Sequence, residues 1–324
     1  LLNSSQWGYI DPVDTPDGGN IGLHKHLAIS THITSGYSGW PLIKWIRAKT
    51  ALRLLQECKP LFLASLSKVF VNGVWIGAIE HPIEFVNMLR LFRRNGILPV
   101  YTSVSFKYEA NEIYIYSDGG RLTRPIYYIS NGKPSYDRAG VVDKVNSGKF
   151  SWQEVVGGIG KKDDEDYDYK KNTIYDIDEL YSSISGAEQL EKYMEQNQAV
   201  VDYVDTSEEE GLMVAMKMDE VKNNKYYTNV EILPSLIFGV MGNQVIYPEN
   251  NPTTRSGFSC GQSKQAVSVY HSNFQMRMDK FGVTLNYGQI PLVKSKYLEY
   301  FNKEEQPYGV NVIVAIMSYT GYNV

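Results

Sequence analysis

Asn72-Gly73, set between Val69-Phe70-Val71 and Val74-Trp75-Ile76, constrains the fold more than any other stretch of this chain. A two-residue type I′ turn needs positive φ at both central residues, and Asn-Gly tolerates that best. The spacing therefore predicts a β-hairpin. A helix should follow it: Pro82 suits a first turn, Glu84 favours the positive end, and Arg90, Arg93 and Arg94 favour the negative end. Phe85, Leu89 and Phe92 share one face of that helix, and Gly96 can stop it. Residues 112–116 then alternate as a strand, Asp118-Gly119-Gly120 turns, and 122–129 returns. Residues 66–130 thus read as one compact α+β module.

The rest of the chain has room for further cores, at 324 residues in all. Hydrophobic residues make up 43% and charged residues 21%, the balance of a soluble globular protein. No apolar run approaches the roughly 20 residues that a membrane-spanning helix needs. Residues 1–35 are loop-rich, and 41–56 reads as a helix with Pro41 in its first turn. Residues 131–222 are more polar, with a charge run at 161–171 that reads as a mobile loop, a helix over 186–198, and strands near 199–204 and 212–217. From 228 onward the chain is apolar and strand-rich again, and 313–317 has a buried-strand pattern. It opens on Leu1 rather than Met and stops at Val324 just after that run, so both ends read as cut from something longer.

The net charge of −4 hides a division. Residues 163–220 hold 18 acidic and 4 basic side chains, a balance of −14, whereas 251–297 hold 6 basic and 1 acidic, a balance of +5. The acidic stretch reads as a solvated outer surface. Two distant thiols, Cys58 and Cys260, form neither a disulfide framework nor a zinc site, which points to a reducing compartment. His24 and His26 alternate like strand neighbours, and no His, Cys or carboxylate cluster has metal-ligand spacing. No nucleophile–base arrangement stands out either. These absences weigh against an independent enzyme.

Three stretches could still carry function. In Asp14-Thr15-Pro16-Asp17-Gly18-Gly19-Asn20-Ile21-Gly22-Leu23 the glycines permit a backbone that other residues cannot adopt, either for close approach of a nucleic acid or as a plain turn cluster. In 250–267 a polar loop runs into a helix carrying Lys264. There Arg255 suits a phosphate through its fork and Lys264 as a point charge, and both equally suit a solvated surface. In Asn273-Phe274-Gln275-Met276-Arg277-Met278-Asp279, Arg277 and Asp279 face the same way on a strand, for a local ion pair or for a ligand.

Several motifs recur in a fixed order. They are Trp7-Gly8 with Thr15-Pro16-Asp17-Gly18 and Asn20-Ile21-Gly22-Leu23; Phe70-Val71-Asn72-Gly73-Val74-Trp75; and Asp118-Gly119-Gly120-Arg121 with Arg124-Pro125. Glu231-Ile232 with Pro234-Ser235, Lys264-Gln265-Ala266, Arg277-Met278-Asp279 and Tyr319-Thr320-Gly321-Tyr322-Asn323 follow. Together they resemble the second-largest, β-type subunit of multisubunit DNA-directed RNA polymerases, as an internal piece. Residues 131–220 contribute least, chiefly through 205–211. The wording of Gly261-Gln262-Ser263-Lys264-Gln265 and Ile316-Met317-Ser318-Tyr319 is closer to large DNA viruses than to nuclear enzymes.

The resemblance implies an α+β architecture of several small mixed modules. Residues 1–65 would be the end of the fork, 66–130 and 131–222 two external modules, and 223–324 the start of a double-psi β-barrel that binds the RNA–DNA hybrid. It also implies roles. Arg255 matches an arginine near the triphosphate of the incoming nucleotide. Lys264 and Gln265 match residues near the hybrid, and Arg277 falls in the same hybrid-binding region. Asp17, one methylene shorter than the family's Glu, and Phe258, a tyrosine without its hydroxyl, fall near the RNA 3′ end. The partners implied are template DNA, nascent RNA, nucleoside triphosphates, the largest subunit and smaller subunits, without a membrane. Mg²⁺ would be held mainly by the other large subunit, and none by this stretch alone. The complete enzyme would be a nucleotidyltransferase of transcription, in the nucleus or in a cytoplasmic viral factory or virion. The isolated stretch is expected to be inactive. Two other readings stand beside this one: a non-enzymatic protein-interaction module with an acidic face, and a nucleotide enzyme using the 14–23 loop.

Overall fold

A computed structural model describes residues 3–138, 140–158, 187–302 and 305–322. The charge run at 161–171 lies outside the described residues. The chain divides into two compact units. The larger comprises 3–9 with 30–234, and the smaller comprises 10–29 with 235–322.

The larger unit contains two sheets. Ten strands are described: β1 (His32–Ile33), β2 (Ser67–Val71), β3 (Val74–Ile79), β4 (Ser103–Lys107), β5 (Glu112–Tyr116), β6 (Leu122–Ser130), β7 (Lys133–Pro134), β8 (Val201–Asp205), β9 (Val214–Ala215) and β10 (Asn229–Val230). The first sheet has the order β3-β2-β5-β4. Its β2–β3 hairpin turns at Asn72 (φ 48) and Gly73 (φ 82), the two positive dihedrals that the Asn-Gly pair predicts. β2 pairs with β5 in parallel, and β4 closes antiparallel on β5. One face is apolar because alternate residues Val69, Val71, Ile113 and Ile115 point the same way. Against it packs the helix Pro82–Arg94, with Pro82 at its start and Phe85, Val86 and Leu89 buried. The helix Trp40–Lys49 adds Leu42, Ile43 and Ile46. Each such side chain, fully buried, contributes about 1.5–3 kcal/mol.

The second sheet is built on β6, which pairs antiparallel with β1, β7, β8 and β10. Thr123 faces both His32 and Asp205, so β1 and β8 flank opposite edges of β6. Between β1 and β10 residues 124–126 have no ladder partner on that edge, and Pro125, which has no N–H to offer, sits in the gap. Arg124 beside it is buried. Its guanidinium meets both oxygens of Glu231 at 2.7 Å and also pairs with Glu209. The Arg124 side chain runs past Gly8, where a Cβ would stand 2.7 Å from it on a backbone at φ +78. Trp7-Gly8 and Arg124-Pro125, two of the recurring motifs, are therefore neighbours in space.

Of the acidic stretch, residues 163–186 lie outside the described residues; Glu191, Glu195, Glu210, Asp219 and Glu220 are exposed as expected, but a subset is not. Asp202, Asp205 and Glu208 are buried. Arg93 donates to both oxygens of Glu208 at 2.6 and 3.0 Å, Arg94 clasps Asp202 at 2.6 Å, and Arg90 lies 3.2 Å from Glu208. Asp205 caps the turn that follows, accepting from the Glu208 amide at 2.8 Å, and pairs with Arg121 at 3.1 Å. These carboxylates are matched by arginines from the end of the Pro82–Arg94 helix and by Arg121, just before β6. Removing one partner of such a buried pair costs about 3–5 kcal/mol, because the other is left uncompensated.

The smaller unit overturns the expected β-barrel start. Among the described residues neither sheet closes on itself, and over 235–322 no strand is formed. A barrel requires every strand to have two hydrogen-bonded neighbours. The apolar run expected to be a buried strand instead lies exposed, Ile313 and Ile316 fully so. Ahead of that run the Gln289 amide donates to the Gly309 carbonyl at 2.9 Å. This unit is held together by turns, by the helices Thr253–Ser263 and Leu298–Asn302, and by the 10–29 segment.

The arginine network sets an acid limit on the larger unit. Burial alone would raise the pKa of Asp202, but Arg94 and Arg93 outweigh it and hold the carboxyl below its usual 3.8. A depressed carboxylate stabilises the fold fully above the unfolded pKa, and that contribution is lost as pH falls through the folded one. Urea unfolding followed against pH should therefore show no loss from Asp202 between pH 7 and 5 and a decline below about pH 4 that Asp202→Asn removes. A decline unaltered by that substitution would contradict the pairing.

Candidate functional site

All six residues singled out for nucleotide or hybrid contact fall in the smaller unit: Asp17, Arg255, Phe258, Lys264, Gln265 and Arg277. Its framework begins at Asp11. The Asp11 amide donates to the His26 carbonyl at 2.8 Å, and Ile10 bridges Leu27, so 10–27 forms a closed loop. The buried Asp11 carboxylate accepts from the Val13 amide at 2.9 Å and the Gly239 amide at 2.7 Å. It ties the loop to the chain entering the next segment. Burial raises its pKa, and the backbone donors only partly offset this.

Thr15 narrows the loop. Its hydroxyl donates to the His24 carbonyl at 3.1 Å and accepts from the Gly22 amide at 2.8 Å. Asp17 lies at the exposed tip, its carboxylate turned onto the Gly18 amide at 2.9 Å. No atom stands within 4 Å of a Cβ built at Gly18, Gly19 or Gly22, so the glycine run is open on the outside.

The helix Thr253–Ser263 packs on this loop. Two glycines inside a short helix are unfavourable by propensity, so packing must supply what they lose. Ser256 and Cys260 are its buried stripe, and a Cβ at Gly257 would stand 3.2 Å from the Val13 carbonyl. Cys260 is fully buried, and burial together with Asp11 and Asp14 pushes its thiol up to about 12.

The cationic residues sit in three separate settings. Arg255 occupies the exposed first turn of the helix, with its guanidinium 5.2 Å from the Phe258 ring centre. Among the described residues no carboxylate pairs with it. Lys264 ends the helix, with Nζ 2.7 Å from the buried Asp14 and 3.0 Å from His26 Nε2. Arg277 is clasped by Asp279 at 2.9 and 3.3 Å, with Tyr270 donating to the same carboxylate at 3.1 Å. The local ion pair is thus the alternative realised there. Gln265 is exposed. At 100° per residue, Arg255 and Lys264 leave a helix on opposite sides, about 13 Å apart along its axis. The structure brings Arg255 to Phe258 and Lys264 to the 11–26 loop, and does not merge the two cations into one point.

Asp11 was not singled out from sequence, and Asp14 and His26 were named there without a role of their own. The available signal was the spacing of Asp11, Asp14 and Asp17, three carboxylates in one loop with Lys25 as its single formal cation. Among the described residues no group of three or more His, Cys, Asp or Glu could hold a metal ion, and no helix is long and apolar enough to cross a membrane.

Comparison with known proteins gives a consistent order. Residues 1–33 match RNA polymerase Rpb2, domain 3; 69–130 match domain 4; 195–240 match domain 5; and 241–324 match domain 6. The chain is 31% identical over 325 residues to the DNA-directed RNA polymerase III subunit RPC2 of Drosophila melanogaster, covering 100% of this chain and 25% of that protein. It is 30% identical over 331 residues to the DNA-directed RNA polymerase II subunit 2 of Arabidopsis thaliana, covering 99% and 25%. It is 28% identical over 333 residues to the archaeal DNA-directed RNA polymerase subunit Rpo2 of Sulfolobus acidocaldarius, covering 100% and 26%. The chain spans about a quarter of the length of these relatives. The smaller unit joins segments from the domain 3 and domain 6 matches.

The packing of the helix on the loop can be checked through its thiol. Alkylation of the folded chain at pH 8 should modify the partly exposed Cys58 and leave Cys260 untouched until denaturant is added. Cys260 labelling as fast as Cys58 would mean that the helix does not lie on 11–14.

Proposed function

Since this chain belongs to the Rpb2 family of RNA polymerase second-largest subunits, we propose that it works as part of a DNA-directed RNA polymerase, touching the incoming nucleotide and the RNA–DNA hybrid during transcription. In this reading the complete complex is the nucleotidyltransferase, and its partners are template DNA, nascent RNA, nucleoside triphosphates and the other polymerase subunits. The fork, external and hybrid-binding modules, divided at 65, 130 and 222, belong to the same proposal.

Arg255 carries the reading. It is an exposed guanidinium without a carboxylate partner among the described residues, in the first turn of an 11-residue helix. A helix start presents free amides and a positive dipole end, both favourable to a phosphate. A planar fork grips phosphate oxygens in two places at once. Phe258, three residues on, offers an apolar ring beside that cation. Lys264 and Gln265 at the other end of the helix give a second exposed polar contact, as an extended polyanion would require. Asp17 at the loop tip belongs to the same proposal near the RNA 3′ end. Arg277, already neutralised by Asp279, would contribute less charge to the hybrid than sequence alone suggests.

The described residues do not fit a catalytic metal, since they bring no set of three ligating side chains together. In the proposed complex Mg²⁺ would be held mainly by the other large subunit. What this chain supplies is orientation and charge. An acidic face for a protein partner would draw on exposed carboxylates such as Glu191, Glu195, Glu210, Asp219 and Glu220, and not on Asp202, Asp205 and Glu208, which are buried against arginines.

In the complete polymerase, Arg255→Ala should lower kcat/KM for nucleotide incorporation by roughly 10–100-fold, the weight of a charged hydrogen-bond pair. Arg255→Lys should recover part of it, as a point charge without the fork. Steady-state incorporation on a primed hybrid measures both. Unchanged kcat and KM in Arg255→Ala would overturn the role.

A further inference from the structure

Lys264 has three N–H donors and no acceptor. Two of the three are placed. One points to Asp14 Oδ1 at 2.7 Å and one to His26 Nε2 at 3.0 Å. An ammonium cannot accept, so this contact uses the His26 tautomer in which Nε2 is the acceptor. The Asp14 side chain is only 5% exposed, while Lys264 and His26 are 37% and 44% exposed. The cluster therefore runs from a fixed buried carboxylate to an ammonium at the surface. The loop supplying Asp14 is itself fixed, through the Asp11 carboxylate on the Val13 amide and the closure of 10–27. Asp14 and Lys264 are 250 positions apart in sequence.

We propose that Asp14 is a positioning residue for Lys264: with His26 it takes two of the ammonium's three donors and leaves the third directed outward, to a phosphate of the RNA–DNA hybrid. This rests on the reading that the Thr253–Ser263 helix faces that hybrid. A free lysine is a flexible point charge, spread over many rotamers. Held by a buried carboxylate and an imidazole, it becomes a donor with a set direction, so less ordering is needed when the polyanion arrives. Asp14 itself touches no substrate in this account. Its neighbours Asp11 and Cys260 do not compete for the ammonium, since Asp11 is turned onto the Gly239 amide and Cys260 is buried with its thiol protonated.

The test uses the complete polymerase with Asp14→Asn, Lys264→Gln and both together. Gln offers Asp14 an amide N–H but no counter-charge, which the recorded thermal midpoint monitors, and the double variant is neutral at both positions. The readout is the lifetime of a stalled elongation complex on an RNA–DNA hybrid, measured over a range of salt, with the thermal midpoint of each variant recorded. Lys264→Gln should shorten the lifetime roughly tenfold and lower the salt slope by about one. Asp14→Asn should shorten it by roughly three- to tenfold without changing the slope, because the charge remains but loses its direction. In the Lys264→Gln background Asp14→Asn should have no further effect. Equal shortening by Asp14→Asn in both backgrounds would reveal a merely structural role and overturn the proposal. No effect of Asp14→Asn beside a clear effect of Lys264→Gln would also overturn it, while leaving the hybrid reading intact. No effect of Lys264→Gln would sink the hybrid reading at this residue, and the positioning role with it.

Discussion

Arg93 is 2% exposed and Glu208 1% exposed, and they meet through two hydrogen bonds across 115 positions of sequence. A charge removed from water in this way is tolerable only with an opposite charge and filled hydrogen-bond sites. That requirement fixes where several elements can lie. The end of the Pro82–Arg94 helix must reach β8 and the turn after it, because Arg93 and Arg94 need Asp202 and Glu208. β6 must present Arg124 to Glu209 and Glu231, and Gly8 must be a glycine for that side chain to pass. The apolar cores of the larger unit supply most of the drive to fold. The arginine pairs decide which arrangement of those cores is acceptable.

The same logic recurs in the smaller unit with fewer charges. Asp11 and Asp14 are buried carboxylates three residues apart, yet they are satisfied differently. Asp11 is bound by backbone amides and is structural. Asp14 is bound by Lys264 and so links the interior of the loop to the surface of the unit. Arg255, at the opposite end of the same helix, has no such carboxylate partner among the described residues. The functional reading depends on that contrast between a cation that is held and a cation that is left open.

Local signals in the sequence were legible, and long-range partnerships were not. The Asn72-Gly73 hairpin and the Pro82–Arg94 helix follow from backbone preferences acting over a few residues, and both are present. Burial of Asp202, Asp205 and Glu208 within the acidic stretch was not legible, because the stretch holds few counter-charges of its own. The arginines that bury Asp202 and Glu208 lie more than 100 positions earlier. The barrel was implied by family resemblance, but ladder formation depends on neighbouring strands, and the apolar run at 313–317 finds none among the described residues. At the site, exposure of Arg255 and Asp17 accords with a polar loop and a turn. Asp14 and His26 were invisible as partners of Lys264 because nothing within 200 residues of the lysine points to them.

Photo-crosslinking from a reactive nucleotide at the RNA 3′ end, in an assembled polymerase stalled on a hybrid, addresses the central claim most directly. The account predicts adducts on the Thr253–Ser263 helix, on Lys264 or Gln265, and on the loop tip around Asp17. Adducts confined to residues 30–234, with none on the smaller unit, would contradict it.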